Sequence, residues 1–221
     1  MRKTLILAST AIALAFFSGP VLAQSDSDPG KVEVGVHFTS ITKPDFDGGN
    51  TEAGFGGRFT FNFNRSFAVE AEGNFFPHNC GTCISENVGT LTQAFAGVKG
   101  GKRWSKFGIF GKARPGLASF SGGNFDIRLI QSLPGSFPVF DIDRSRATNF
   151  AFDVGGVIEL YVSRRIFTRF DGGDTIIRYS ERTFNSFTID PVTFVAIPIT
   201  SIRPAETRHN FQFSAGIGIR F

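Results

Sequence analysis

Residues 53–76 read AGFGGRFTFNFNRSFAVEAEGNFF, and this stretch decides the fold. On both sides of a three-residue break at 64–66, apolar side chains recur at every second position. A period of two is typical of a β-strand whose two faces meet unlike surroundings. The stretch therefore predicts two antiparallel strands, Ala53–Phe63 and Phe67–Phe76, joined by a short turn.

The charges in this hairpin indicate which face is enclosed. If Phe63 pairs with Phe67, the register places Arg58 opposite Glu72, and a second hairpin around 163–165 places Glu159 opposite Arg169. An exposed ion pair contributes only about 0–1 kcal/mol, whereas breaking a buried pair costs roughly 3–5 kcal/mol. Matched charges are therefore expected on an enclosed face, so we expect the Phe-rich face to contact lipid.

The same alternation recurs along the chain and predicts an all-β fold, an eight-stranded antiparallel transmembrane β-barrel with up-and-down meander topology. Short turns alternate with long loops, which is typical of a barrel with short periplasmic turns and long extracellular loops. The predicted strands are 31–39, 53–63, 67–76, 91–103, 108–120, 149–162, 166–178 and 208–221. The short turns are 64–66, 104–107 and 163–165, and the long loops are 40–52, 77–90, about 121–148 and about 179–207.

The composition agrees with this fold and excludes several others. The 221 residues include 28 Phe and 26 Gly, so strand and turn formers dominate and a helical bundle is excluded. A basic head at Arg2 and Lys3, an apolar stretch at 5–17 and small residues at 21–23 predict a signal peptide at 1–23, followed by a barrel domain at 24–221. Without the leader the net charge falls from +4 to +2, which is too weak to indicate a nucleic-acid partner.

Successive side chains of a strand point to opposite faces, so the parity of a residue, its odd or even position along the strand, predicts which face it is on. Parity assigns the charged side chains to the lumen, the interior of the barrel. An eight-stranded barrel is just wide enough for side chains to fill it, so paired charges there are expected to form a plug rather than an open pore. The predicted lumen ion pairs involve Arg58, Glu70, Glu72, Lys99, Lys112, Glu159, Arg169 and Asp171. By the same parity Glu33, Asp153, Lys31, Arg103, Arg114 and Arg220 also face inward.

The terminal strand carries a resemblance to a known family. Its last residues, Ile217-Gly218-Ile219-Arg220-Phe221, resemble the assembly signal of bacterial outer-membrane barrels, with Ile217, Ile219 and Phe221 as its apolar positions. Stretches 69–77, 97–103 and 110–116 are similar to the OmpA/OmpX-like outer-membrane β-barrel domain. The resemblance implies a location in the bacterial outer membrane, with membrane lipid and the barrel-assembly machinery as partners.

Candidate chemistry is sparse. In an oxidising envelope we expect Cys80 and Cys83 to form a small disulfide that stiffens the second long loop, because a metal site with His78 lacks a clear fourth ligand. Hydrolysis of lipid needs a Ser beside a His base, yet parity directs His37 into the lumen and His209 toward lipid. We therefore expect no catalytic residue, no cofactor and no metal.

The long loops are where a specific function is expected, because loops on a rigid scaffold carry recognition. Segments 125–131, 137–143, 184–189 and 192–200 are themselves strand-like, with Asp190-Pro191 as a turn, and an apolar edge at 192–197 is suited to accepting a partner strand or to packing as a cap. The sequence thus favours a non-enzymatic barrel that supports the envelope and displays loops for adhesion or surface and host interaction. A narrow porin-like channel and a lipid-modifying enzyme remain as alternatives.

Overall fold

The computed structural model describes residues 30–43, 50–77, 88–131, 139–192 and 195–221. These residues form ten β-strands, and none of them belongs to a helix long and apolar enough to cross a membrane. The predicted signal peptide at 1–23 and the residues His78, Cys80 and Cys83 lie outside the described residues. The strands are β1 Val32–Lys43, β2 Asn50–Asn62, β3 Phe67–Phe76, β4 Val88–Arg103, β5 Phe107–Gln131, β6 Val139–Tyr161, β7 Ile166–Tyr179, β8 Arg182–Ile189, β9 Ala196–Arg203 and β10 Glu206–Arg220.

Eight of the strands close into a barrel, as the alternation predicts. Around the barrel the order is β1, β10, β7, β6, β5, β4, β3, β2, and every neighbouring pair is antiparallel. Strand β1 pairs with β10 from Glu33 opposite Arg220 to Thr42 opposite Phe211, so the barrel wall has no open edge. Strands β8 and β9 form a separate two-stranded sheet inserted between β7 and β10.

The two hairpin registers match the sequence prediction. Arg58 lies opposite Glu72 on β2 and β3, and Glu159 lies opposite Arg169 on β6 and β7. Polar side chains begin the corresponding turns. The Asn64 side-chain oxygen accepts hydrogen bonds from the Ser66 and Phe67 N–H groups, each at 2.8 Å, and the Ser163 hydroxyl accepts one from the Ile166 N–H at 2.9 Å. Such side chains stabilise tight turns and thereby set the register.

Several strands extend further at the extracellular end than predicted, so the loops are shorter. Strands β5 and β6 run 11 and 10 residues past the predicted membrane ends, and their pairing reaches Gln131 opposite Val139. The predicted strand at 192–200 begins later, at Ala196, because the turn is wider: the Asp190 carboxylate accepts the Val192 N–H at 2.8 Å, and the Asp190 N–H bonds the Val195 carbonyl at 3.0 Å. Both extracellular extensions are therefore β-hairpins.

The two faces of the wall have the predicted orientation. Along β3 exposed and buried residues alternate without a break, with Glu70 and Glu72 buried and Phe67, Val69 and Phe75 exposed. On β1 the outward Phe38 is 80% exposed while the inward Glu33 is 1% exposed. The aromatic wall thus faces the membrane, and the ionic side chains fill the lumen.

Candidate functional site

Thirteen charged side chains meet in the lower and middle lumen, and we call them the lumen network. Six acids stand against seven bases, and no member has a side chain more than 9% exposed. Lys31, which the strand alternation also directed inward, is exposed and lies outside the network, because it precedes Val32, the first residue of β1. The members are Glu33, Arg58, Glu70, Glu72, Lys99, Arg103, Lys112, Arg114, Asp153, Glu159, Arg169, Asp171 and Arg220.

Arg169 spans the lumen from one wall to the other. Strands β7 and β3 are diametrically opposite in the barrel order, yet the Arg169 guanidinium donates both terminal nitrogens to the Glu70 carboxylate, one of them at 2.9 Å. The same guanidinium donates to Asp171 on its own strand at 2.8 Å. A bidentate pair between arginine and carboxylate is strong and geometrically specific. This contact therefore crosses the lumen, and we call the pair of Arg169 and Glu70 the crossbar.

A second set of contacts lies around Glu72. Its carboxylate accepts from Arg58 Nε at 2.7 Å, the cross-strand partner expected from the register, and from Arg114 Nη1 at 2.7 Å. Arg114 also donates to Asp153 at 2.8 Å, and Lys112 lies 3.0 Å from that carboxylate. Each buried charge here has at least one opposite partner, which buried ions require.

A third set involves Glu159, and here the partner differs from the expected one. Although Arg169 lies opposite Glu159 in register, their closest nitrogen and oxygen are 3.6 Å apart. The Glu159 carboxylate instead accepts from Lys99 at 2.6 Å and from the Tyr161 hydroxyl at 2.9 Å. Arg169 faces Glu70 because the narrow barrel brings opposite walls within reach of a long side chain.

Apolar and aromatic side chains close both ends of the lumen network. Below it, near the short turns, Phe110, Tyr161 and Phe167 are buried, and the Arg220 guanidinium stacks 4.6 Å from the Tyr161 ring centroid. Above it lies an apolar cluster that the sequence pattern did not predict. Four of its eight residues are on β4 and β5, where Gly and Ala dilute the alternation, and the other four are on β1, β3, β6 and β7. That cluster comprises Ile41, Phe76, Leu91, Phe95, Ala118, Phe120, Ala151 and Ile177, with Tyr179 against it.

The lumen leaves little free space around the network. A cavity of about 10 Å³ lies beside His37, Arg58 and Arg169, which is room for about one water molecule. The His37 ring bonds Asn74 at 2.7 Å through Nε2, while its Nδ1 and one oxygen of Glu33 have no hydrogen-bond partner among the described residues, and both residues line this cavity. A cavity of this size does not hold a solute larger than water.

The extracellular hairpins border a much larger space that is open to solvent. Arg182, at the start of β8, donates to the Gly123 carbonyl at 2.5 Å and to the Asn149 side chain at 3.0 Å, and so fixes the β8–β9 sheet against β5 and β6. Between them lies an open, mostly polar cleft of about 410 Å³. Two aspartates, two arginines and uncharged polar side chains line it, namely Asn124, Asp126, Arg128, Asp143, Ser145, Arg182, Thr183 and Asn185.

The histidines do not assemble a catalytic triad in the described part of the chain. His37 lies in the lumen, whereas His209 is on the outward face, where its Nδ1 is 2.5 Å from the Asp174 carboxylate. No serine or threonine hydroxyl among the described residues hydrogen-bonds either ring. Within the same residues, no group of three or more His, Cys, Asp or Glu side chains is placed to hold a metal ion.

The apolar residues of the terminal strand face the membrane. Ile217, Ile219 and Phe221 are all exposed on the outward wall, and the Phe221 N–H bonds the Val32 carbonyl at 2.9 Å. Trp104 also lies outward at the short-turn end, stacked on Phe107, whereas Tyr161 points into the lumen. The terminal strand therefore presents its apolar positions where an outside partner or lipid reaches them.

Comparisons with known proteins agree with this architecture. The model of the outer membrane protein beta-barrel domain family matches residues 9–221. Neisserial surface protein A has a similar structure, with 12% identity, a TM-score of 0.52 and coverage of 88% of this chain and 100% of that one. So has Ail, the attachment invasion locus protein of Yersinia pestis, in complex with the heparin analogue sucrose octasulfate, with 9% identity, a TM-score of 0.50 and coverage of 87% and 99%. A search of curated proteins found no match.

Proposed function

The chain belongs to the outer membrane protein beta-barrel domain family, and from that premise we propose that it is a non-enzymatic display protein of the bacterial outer membrane. The barrel anchors the chain and supports the envelope, while the two extracellular hairpins mediate surface interaction or adhesion. The observation that carries the proposal is the contrast between a filled lumen and an open cleft of about 410 Å³ outside it.

The chemistry of the cleft indicates the type of partner. Its two aspartates and two arginines cancel, so it has no net formal charge. Carboxylates, amides and guanidinium groups together bind hydroxyl-rich or peptide-like surfaces through hydrogen bonds. The Yersinia pestis protein Ail was solved with a heparin analogue. For this chain a neutral glycan or protein surface fits the cleft better than a highly sulfated one, because nothing in the cleft favours dense negative charge.

The narrow-channel alternative receives less support. A solute would have to displace the contact between Arg169 and Glu70 as well as the apolar cluster above it, and breaking a buried ion pair costs roughly 3–5 kcal/mol. The lipid-modifying alternative lacks a hydroxyl nucleophile beside either described histidine. Both alternatives are therefore weaker than display.

A deletion tests whether surface binding depends on the β8–β9 hairpin and not on the barrel. Replacing 182–203, which contain β8 and β9, with a short Gly-Ser linker should leave a barrel that migrates as a heat-modifiable band in gel electrophoresis. Cells producing this variant should lose most of the binding to host-cell or abiotic surfaces that wild-type cells gain over cells without the protein. Paired alanine substitutions at Asn124 and Asn185 test the cleft alone. Equal binding by wild type, the deletion and cells without the protein would contradict the display function.

A further inference from the structure

The short-turn end of the barrel carries a ring of positive charge, and we call it the basic collar. Its six exposed residues come from all three short turns and from the adjoining strand ends, and no residue of those turns is acidic. Asp26 and Asp28 precede β1 in the sequence, so even when they are counted, bases outnumber acids by six to two. The collar comprises Lys31, Arg65, Lys102, Lys106, Arg164 and Arg165.

Backbone hydrogen bonds attach three of these residues to strand ends at different places around the barrel. The Lys31 carbonyl accepts from Asn62 at 2.8 Å, the Lys106 carbonyl from Tyr161 at 2.9 Å, and the Arg165 carbonyl from Arg220 at 2.7 Å. Each bond ties a collar residue to the neighbouring strand end. The charge is therefore a ring and does not form a patch on one side.

The collar lies directly below the lipid-facing wall. Phe63, Trp104, Phe107 and Val162 are exposed beside it, and Trp104 stacks on Phe107 with ring centroids 4.7 Å apart. Lys102 Nζ lies 5.5 Å from the Trp104 ring centroid. Tryptophan rings are typical of the membrane–water interface, and long basic side chains near them extend to the headgroup level.

The opposite end of the molecule does not share this charge pattern. The β5–β6 extension carries three aspartates and three arginines, interspersed along the hairpin, namely Asp126, Asp141, Asp143, Arg128, Arg144 and Arg146. Among the described residues, the short-turn end therefore carries charge of one sign, which the β5–β6 extension does not.

We propose that the basic collar binds the headgroups of anionic phospholipids in the leaflet at the short-turn, periplasmic end, and so gathers a shell of acidic lipid around the barrel. A ring at headgroup depth fits lipid on every side, whereas a soluble acidic partner would meet the charges on the end face of the barrel. Basic residues close to an anionic membrane surface each favour its lipids, and the effect weakens with salt.

The single tryptophan of the chain provides the measurement, because Trp104 lies within the collar. The folded protein is inserted into phosphatidylcholine vesicles that contain a few mole per cent of dansyl-labelled lipid, either phosphatidylglycerol or phosphatidylcholine. Energy transfer from Trp104 should be at least about twofold greater to the labelled phosphatidylglycerol at low salt, and the excess should shrink at 0.5 M NaCl.

Matched variants test the source of the preference. Substituting Lys31, Lys106, Arg164 and Arg165 by Gln should abolish the excess transfer and leaves Trp104 and Lys102 intact. The control removes the same number of charges at the other end, with Gln at Arg128, Arg144, Arg146 and Arg203, and should keep the excess. If the fourfold variant does not insert, the pair Arg164→Gln and Arg165→Gln should reduce the excess measurably.

Three results would overturn the proposal. The first is equal energy transfer from Trp104 to both labelled lipids in the wild type. The second is an excess of transfer to phosphatidylglycerol that is unchanged in the collar variant, and the third is a control variant that loses as much of this excess as the collar variant. Binding of isolated cell-wall sacculi that depends on the collar, while both lipids give equal transfer, would identify the acidic groups of the cell wall as the partner instead.

Discussion

Two ion pairs of the same chemical type lie in opposite surroundings. Arg169 and Glu70 cross the lumen with side chains that are 3% and 0% exposed, whereas Arg128 and Asp143 line the extracellular cleft with side chains that are 67% and 59% exposed. In the lumen every member of the ion network has an opposite partner at short range. In the cleft the nearest nitrogen and oxygen of the pair are 3.6 Å apart.

Burial therefore decides what each pair does. A buried charge without its partner is costly, so the lumen pairs hold the barrel in one arrangement. An exposed pair contributes little, which leaves the cleft side chains available to exchange partners with a ligand. The same residue types serve structure inside the barrel and recognition outside it.

The largest expected effect is on the crossbar. Arg169→Ala leaves Glu70 and Asp171 buried without their main partner, so the free energy of unfolding should fall by about 3–5 kcal/mol. Urea titration in lipid vesicles, followed by heat modifiability, measures this loss. The control Arg178→Ala removes an exposed arginine of the same strand and should change stability by no more than about 0.5 kcal/mol. Similar losses in both variants would remove the distinction between inside and outside.

A double-mutant cycle identifies the true partner of Glu159. Lys99 lies 2.6 Å from Glu159, so Glu159→Gln combined with Lys99→Met should be less destabilising than the sum of the two single changes, by about 0.5–3 kcal/mol. The combination of Glu159→Ala with Arg169→Ala should recover no free energy of unfolding in this way. The loss of Arg169 also removes the main partner of the buried Glu70 and Asp171. Recovery in the second cycle but not in the first would contradict the partner assignment.

The contacts in the lumen differ in how far the sequence predicts them. The pairing of Arg58 with Glu72 follows from parity and a three-residue turn, because antiparallel neighbours are fixed by local geometry. The contact between Arg169 and Glu70 joins residues 99 positions apart on opposite walls, and no local rule gives it. Long-range partners depend on barrel diameter and side-chain length together.

The sequence pattern did not predict the apolar cluster of the upper lumen, for a different reason. Phe76, Phe95 and Phe120 face inward, as do Phe110 and Phe167 near the short turns, although the Phe-rich face of most strands is the lipid side. On β4 and β5 Gly and Ala weaken the alternation, and the register shift between Phe120 and Asn124 interrupts it. The cleft also depends on how two hairpins pack, which Arg182 sets through a backbone carbonyl of Gly123 that no side-chain pattern reveals.

Two adjacent glycines of β6 lie on opposite faces of the wall, Gly155 on the inner face and Gly156 on the outer face. A Cβ added at Gly155 would clash with the Gly172 carbonyl and lie 2.7 Å from the Gly173 Cα, whereas one at Gly156 would meet nothing within 4 Å. We therefore expect Gly155→Ala to destabilise the barrel by about 1–3 kcal/mol. Gly156→Ala should be neutral or stabilise it by up to about 1 kcal/mol, as measured by the same urea titration. A reversed order would mean that the two faces are assigned the wrong way round.

The smallest expected effect is in the cleft. Arg128→Ala should alter the free energy of unfolding by less than about 0.5 kcal/mol, because its partners are exposed and its contacts are long. If the cleft binds a partner, the same substitution should weaken surface binding of cells while leaving the amount of folded protein in the membrane unchanged. A stability loss comparable to that of Arg169→Ala would place Arg128 among the structural residues.

Single-channel recording of the purified protein in a planar lipid bilayer tests the sealed lumen most directly. We expect no stable unitary conductance from the wild type, and none from the variant with Arg58→Gln and Glu72→Gln, because the crossbar and the apolar cluster still close the barrel. Reproducible unitary currents from the wild type that rise in this variant would contradict the sealed interior and favour a gated pore.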